Sequence, residues 1–323
     1  MWRLQSFCVV LTAFIFISSS PHEFHKLKHK TVPTGDGDYV QLSRGRVRYE
    51  LSAPSSTGLQ LTVLVAGLGA PMENMVPLAK YLQQEYPTLR TLTYDVYGRG
   101  WSDAPAGPLR PGPAFELYVA QLAELLFALN ETGKVNLIGL SMGGSIMNGF
   151  AKIYPERVQS LIMFAPPVLE LSPIGKLALK VLNNANEGLL HTLGRIVIPY
   201  ALERNIHVEF KTPETKQAKA VIEAILNQDM DILSPTIIMT VLAMDFNHIQ
   251  QAYMDMARNY KGKLLLVWGE EDVIAPCEKG RNLQRQLQSI RDTDFISVPK
   301  MGHFLVSEYT AIYNEIGKYL TTT

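Results

Sequence analysis

The sequence is short of cysteine, of net charge and of long apolar runs, and each shortage excludes something. Only Cys8 and Cys277 are present, too few to form a zinc site. Lys plus Arg and Asp plus Glu both number 30, so the formal charge is zero, and charged residues make up only 19%. That leaves no electrostatic footprint for nucleic acid and no basic field to draw the chain onto anionic lipid. The apolar run nearest the amino terminus, Phe7–Ile17, has eleven residues, short of a bilayer span. Internal repeats and low-complexity tracts are absent. His25 and His29 are spaced i,i+4 but lie in a lysine-rich tail with no carboxylate between them, so no metal or cofactor is expected.

What is present begins with processing signals. Met1-Trp2-Arg3 gives a positive start, Phe7–Ile17 an apolar core, and Ser18-Ser19-Ser20 small residues for cleavage. Residues 1–20 therefore read as a signal peptide, followed by a polar linker over 21–37, with the mature chain secreted or in the secretory-pathway lumen. The alternative is a membrane anchor over residues 4–20, because Pro21 spoils a cut after Ser20 and Lys26, Lys28 and Lys30 follow. Cleavage would remove Cys8 and leave Cys277 without an internal disulfide partner. Asn130-Glu131-Thr132 is the lone N-x-[ST] sequon, making Asn130 the expected glycosylation site if the chain enters a eukaryotic secretory pathway.

From residue 38 onward, strands and helices alternate. Tyr39–Ser43 and Arg46–Ser52 pattern as an antiparallel hairpin; Leu59–Ala66, Leu89–Val96, Lys134–Leu140 and Val158–Ala165 read as buried strands. Helical spacing covers Pro71–Tyr86 and Ala114–Asn130. This rhythm predicts an α/β fold with a mostly parallel, doubly wound sheet behind an antiparallel entry. It breaks after Pro166-Pro167 and resumes at Lys263–Trp268, followed by a helix over Cys277–Ser289, a strand at Asp294–Val298 and a helix over Leu305–Leu320. An insertion of about 95 residues is too long for a loop and reads as a helical cap, placing the core at 38–166 and 262–323 and the cap at 167–261. Within it, Ile174–Ala185, Gly194–Ala201 and Lys216–Leu226 are the visible helical segments, and part of the cap is expected to line an apolar pocket.

Gly139-Leu140-Ser141-Met142-Gly143 sits between the strand Lys134–Leu140 and a helix opening at Met142. That is a nucleophile elbow: a serine on a strained turn, flanked by glycines because side chains there would collide. A serine needs a base, and His303, in a Met-Gly-His-Phe loop after the last strand, is the candidate. A carboxylate must orient that imidazole; Glu270, Glu271 and Asp272 all follow the strand ending in Trp268. An oxyanion would need backbone donors, expected from Met142, directly after the serine, and from Leu68 in the loop after Leu59–Ala66.

Four motifs in this order resemble the α/β-hydrolases of the single-domain esterase, monoacylglycerol-lipase and carbon–carbon-bond-hydrolase type: Ala66-Gly67-Leu68-Gly69, Asp95 through Asp103 (DVYGRGWSD), the serine elbow, and Trp268-Gly269-Glu270-Glu271-Asp272 with Gly302-His303. The similarity spans Asp38 to Leu320. It implies the α/β-hydrolase fold and selects Asp272 as the acid, in the chain order Ser141, Asp272, His303. Ser141 excludes the dehalogenase and epoxide-hydrolase branches, which carry an aspartate there. The chain departs from the family where Ala66 replaces its usual histidine, which puts the bracing of the oxyanion loop in question. Asp95, Gly98, Arg99, Gly100 and Ser102 match a turn read as structural, with Arg99 expected to pair with an acidic neighbour. The implied activity is hydrolysis of a small, uncharged or lipophilic carboxylic ester, with membrane-surface association a further expectation. Carbon–carbon-bond hydrolysis by the same triad, or a non-catalytic ligand-binding receptor on the same fold, are the alternatives.

Overall fold

The computed structural model describes residues 37–53, 58–106, 114–168, 173–185, 187–244, 246 and 248–322. The expected signal or anchor segment, nearly all of the linker, Cys8, His22, His25 and His29 lie outside the described residues.

An eight-stranded sheet runs in the order β1-β2-β4-β3-β5-β6-β7-β8. Strands β1 (Asp38–Leu42) and β2 (Gly45–Leu51) form the antiparallel hairpin, and β2 pairs antiparallel with β4 (Leu89–Tyr94). From there β3 (Gln60–Val65), β5 (Val135–Leu140), β6 (Val158–Phe164), β7 (Lys263–Gly269) and β8 (Asp294–Val298) continue in parallel. Every residue of β4 and β5 is buried, as expected of strands covered on both faces. Alternation along β3 shows why: Leu61, Val63 and Val65 join one core cluster, Leu64 and Ala66 the other. Helices α1 (Val76–Glu85) and α11 (Ala311–Thr321) cover the second cluster. Helices α2 (Ala114–Ala128), α3 (Met142–Ile153) and α9 (Cys277–Gln288) cover the first.

Between β6 and β7 the described residues form α4 (Pro173–Asn183), α5 (Glu187–Glu209), α6 (Lys216–Leu226), α7 (Met230–Leu242) and α8 (Ile249–Asn259). The sequence pattern missed the extent of α5 and named neither α7 nor α8. Pro199 and Pro235 lie inside α5 and α7, where intrinsic propensity argues against a helix, and α7 is apolar around most of its circumference. Helix α8, inside the 167–261 range read as cap, packs against α3 of the sheet layer. Its Ile249, Tyr253, Met256 and Ala257 share one face and belong to the first core cluster, and the Tyr253 hydroxyl lies 3.0 Å from that of Ser145 on α3. The expected terminal helix is split into α10 (Leu305–Glu308) and α11. Tyr309, at φ −103° and ψ 80°, leaves the helical region between them.

The loop after β4 ties the hairpin to the sheet. Asp95, 1% exposed, accepts from the amides of Met72 (2.7 Å) and Trp101 (3.0 Å) and lies 3.5 Å from Arg48. Ser102 Oγ donates to the Asp95 carbonyl at 2.8 Å and accepts from the Arg48 amide at 3.0 Å. This is the structural work expected of the turn. Burial, helped by the charge of Glu73, pushes the Asp95 carboxyl up to about 7 against the two amides and Arg48. A raised acid stabilises the fold below its unfolded value and loses that contribution as pH climbs through the folded value. Stability should therefore fall between about pH 4 and pH 7, by at most roughly 4 kcal/mol from this group. Denaturant titrations of wild type and Asp95→Asn across that window should show a flatter curve for the variant.

Candidate active site

Strand β5 delivers Ser141 to the carboxyl edge of the sheet, and α3 begins at the next residue. Ser141 sits at φ 53° and ψ −120°, a conformation that costs a non-glycine residue on the order of 1–3 kcal/mol. The turn is close-packed around it. A Cβ on Gly143 would lie 2.4 Å from the Val65 carbonyl oxygen, and one on Gly139 would lie 2.3 Å from the Gly143 backbone. No real side chain tolerates such distances, so the elbow requires both glycines. Gly67 brings the loop after β3 alongside, its would-be Cβ 3.3 Å from Ser141 Cβ.

That loop carries Leu68. The Leu68 N–H, and the Met142 N–H at the first position of α3, donate to no acceptor among the described residues. The carbonyls of the Leu68 loop, by contrast, are held by side chains. Arg99 Nε donates to the Leu68 carbonyl at 2.9 Å, and Gln228 Nε2 to that of Gly69 at 2.8 Å. Arg99 is 1% exposed, and its other bonds go to the Tyr97 carbonyl (3.0 Å) and the hydroxyls of Tyr118 (2.7 Å) and Thr240 (2.9 Å). The expected acidic partner of Arg99 is therefore not what it finds among the described residues. Carbonyl and hydroxyl oxygens solvate the guanidinium, and the loop gains a brace where Ala66 has no imidazole to offer. Gln228 and Thr240 come from the cap, and nothing in their local sequence announces this role.

The loops after β7 and β8 bring Asp272 and His303 together, 4% exposed each, with Nδ1 to Oδ2 at 2.7 Å. The other Asp272 oxygen, Oδ1, accepts from the amides of Ile274 (2.9 Å) and Ala275 (2.7 Å). Geometry separates the three neighbouring carboxylates. Glu270 turns to Ser297 Oγ (2.9 Å) and Arg281 (3.4 Å), and Glu271 pairs at the surface with Lys211 (3.6 Å). Burial alone would lower the His303 imidazole, but the charge and hydrogen bond of Asp272, with the charge of Glu209, outweigh it and raise it above the ordinary histidine value. Ser141 Oγ makes no hydrogen bond to another described residue, so the pair that meets in this structure is carboxylate and imidazole.

One buried residue escaped the sequence reading altogether. Glu209, the last residue of α5, is fully buried and accepts from the His303 amide at 2.8 Å and the Val273 amide at 3.1 Å. In sequence it is an unremarkable acid at a helix end. From the cap, Ile198, Leu233 and Ile237 pack together with Leu202 and Leu68, next to the polar contact of Gln228 with Gly69. Among the described residues no group of three His, Cys, Asp or Glu converges as a metal site would require, and no described helix is long and apolar enough to cross a membrane.

The order of the strands, the glycine-bound serine at the end of β5 and the carboxylate–imidazole pair after β7 and β8 define an α/β-hydrolase. The chain belongs to the serine aminopeptidase S33 family, whose profile matches residues 59–310. A curated relative, a poly(3-hydroxyalkanoate) depolymerase from Ectopseudomonas oleovorans, is 34% identical over 127 residues, covering 39% of this chain and 41% of that protein. The chain spans about two fifths of the length of the curated relatives it matches. Among solved structures, a thermophilic esterase from Thermogutta terrifontis is similar at 23% identity and TM-score 0.64, over 88% of this chain and 98% of that one. The enol-lactonase from Burkholderia xenovorans LB400 is similar at 20% identity and TM-score 0.64, over 88% and 100%. These two likenesses speak to the fold alone.

Proposed function

We propose that the protein hydrolyses an uncharged, lipophilic carboxylic ester through an acyl-enzyme, with Ser141 as nucleophile, His303 as general base and acid, and Asp272 as the orienting carboxylate. The observation that carries this reading is the buried 2.7 Å contact between His303 Nδ1 and Asp272 Oδ2, set beside a serine elbow on the same sheet edge. With Nδ1–H committed to Asp272, the free ring nitrogen is the acceptor. It takes the Ser141 proton as Oγ attacks the ester carbonyl. The amides of Leu68 and Met142, both uncommitted, are the donors proposed for the developing oxyanion. The imidazolium then gives its proton to the departing alcohol, and water repeats the sequence to release the acid.

Two features support an uncharged lipophilic substrate. Aliphatic side chains of the cap pack against Leu68, so an acyl or alkyl chain lying there would be desolvated at little polar cost. Arg99, the buried cation bonded to the Leu68 loop, spends four of its five donors on protein oxygens and is held by them as a brace, not as a clamp for a substrate carboxylate. The name of the depolymerase relative suits the same bond type. A panel of monoacylglycerols and p-nitrophenyl esters, run beside carboxylate-bearing esters and aminoacyl amides of equal size, tests the proposal. The neutral esters should give the highest kcat/KM, and preference for the charged esters or the amides would contradict it. Because the base must be neutral and its proton is held above the ordinary histidine value, the acid limb of kcat/KM should lie above about pH 6.5.

A further inference from the structure

Helix α5 ends on a carboxylate that performs no solvent-facing role. Glu209 Oε2 accepts from the His303 amide at 2.8 Å and Oε1 from the Val273 amide at 3.1 Å, so one side chain spans the acid loop and the base loop. Val273 directly follows Asp272. The contact is tight enough to dictate the sequence opposite it: a Cβ on Gly302 would lie 2.3 Å from the Glu209 carbonyl oxygen and 2.8 Å from Oε2. The next residues repeat the grip, Phe210 stacking on Phe304 with ring centroids 4.5 Å apart.

A second buried carboxylate this close to Asp272 is not a cheap way to satisfy two amides. Burial, the charge of Asp272 among other things, holds the Glu209 carboxyl above its ordinary value, against the amides of His303 and Val273. A backbone carbonyl or a serine would satisfy those N–H groups without placing charge there. The groups facing His303 are Asp272 from the β7 loop and Glu209 from the cap, with Phe304 edge-on at 5.9 Å. Lys211, beside Gly302, is engaged at the surface with Glu271 at 3.6 Å.

We propose that Glu209 is a positioning residue for the proposed triad: from the cap it fixes the Val273 and His303 backbones, and thereby the geometry in which Asp272 holds the imidazole. Catalytic competence then depends on the seating of α5, because the cap contributes a rigid part of the active site as well as a roof. The inference rests on the reading of Ser141, Asp272 and His303 as the triad.

The test is the pH dependence of inactivation by a fluorophosphonate, which requires no knowledge of the substrate. Glu209→Gln keeps the shape, removes the charge and turns an NH2 toward one of the two amides. Its plateau rate should fall by roughly 10- to 100-fold, the scale of a misplaced catalytic group. Its acid limb should move down by on the order of half a pH unit as the imidazole loses a neighbouring charge. Glu209→Asp keeps the charge and loses the reach, so its plateau should fall while its limb stays near wild type. If the glutamine variant does not fold, the aspartate variant decides. A wild-type plateau and limb in either folded variant, even with a lowered melting temperature, would reduce Glu209 to a structural residue and overturn the proposal. Ser141→Ala and Asp272→Asn run alongside keep the two failures apart. If they still react as wild type does, the triad reading falls; if they lose reactivity while Glu209 variants keep it, only the inference falls.

Discussion

Replacing Ser141 with alanine should lower ester turnover by roughly 10⁶-fold, the loss seen when a serine hydrolase forfeits its nucleophile. The hydroxyl is the only thing removed. Ser141 Oγ supports no other described residue, so no hydrogen bond of the fold is lost with it. The backbone at φ 53° is as strained for alanine as for serine, and the flanking contacts of Gly139 and Gly143 do not involve the side chain. Melting temperature should therefore stay near that of wild type while activity disappears. Steady-state assays beside thermal unfolding check both halves. Turnover that survives at more than a few per cent would move the nucleophile elsewhere.

The second large effect is expected from Asp272→Asn, and the structure says why so mild a change should matter. Asp272 Oδ1 is fixed by two backbone donors, Ile274 at 2.9 Å and Ala275 at 2.7 Å. An asparagine will keep its oxygen on those amides and point its NH2 at His303 Nδ1. That nitrogen must then accept, which moves the imidazole proton to the nitrogen that should take the serine's. The expected loss in kcat is about 10⁴, as in the protease triad. Glu270→Gln and Glu271→Gln disturb only exposed contacts with Ser297, Arg281 and Lys211 and should stay within about threefold of wild type. Collapse of either glutamine variant with a normal Asp272 variant would reassign the acid.

How much of this was legible beforehand differs between the sheet and the cap. The inner strands β3, β5, β6 and β7 could be read because each is a short, mainly apolar run, and burial on both faces makes that signature dense. The Asp272–His303 contact joins residues separated by 31 positions, yet both sit in loops directly after strands, so the order of strands places them on one edge. The cap resisted for the opposite reason. Pro199 and Pro235 contradict the helices that contain them, and only packing against neighbouring helices overrides that preference. Helix α8 has a regular apolar face, but no local signal says whether such a face meets the sheet layer or the cap. Glu209, Gln228 and the Arg99 contact with Leu68 were unreadable in principle: each acts through a contact with backbone atoms distant in sequence, and backbone atoms leave no residue-type signature.

The central claim is that Ser141 is a nucleophile activated by His303. Fluorophosphonate labelling of the purified chain at neutral pH, followed by peptide mass mapping, tests it most directly. The account predicts one phosphonyl adduct, located on Ser141, that is abolished in Ser141→Ala and forms far more slowly in a His303→Ala variant that remains folded. An adduct on any other residue, or labelling of Ser141 at the same rate without the imidazole, would contradict it.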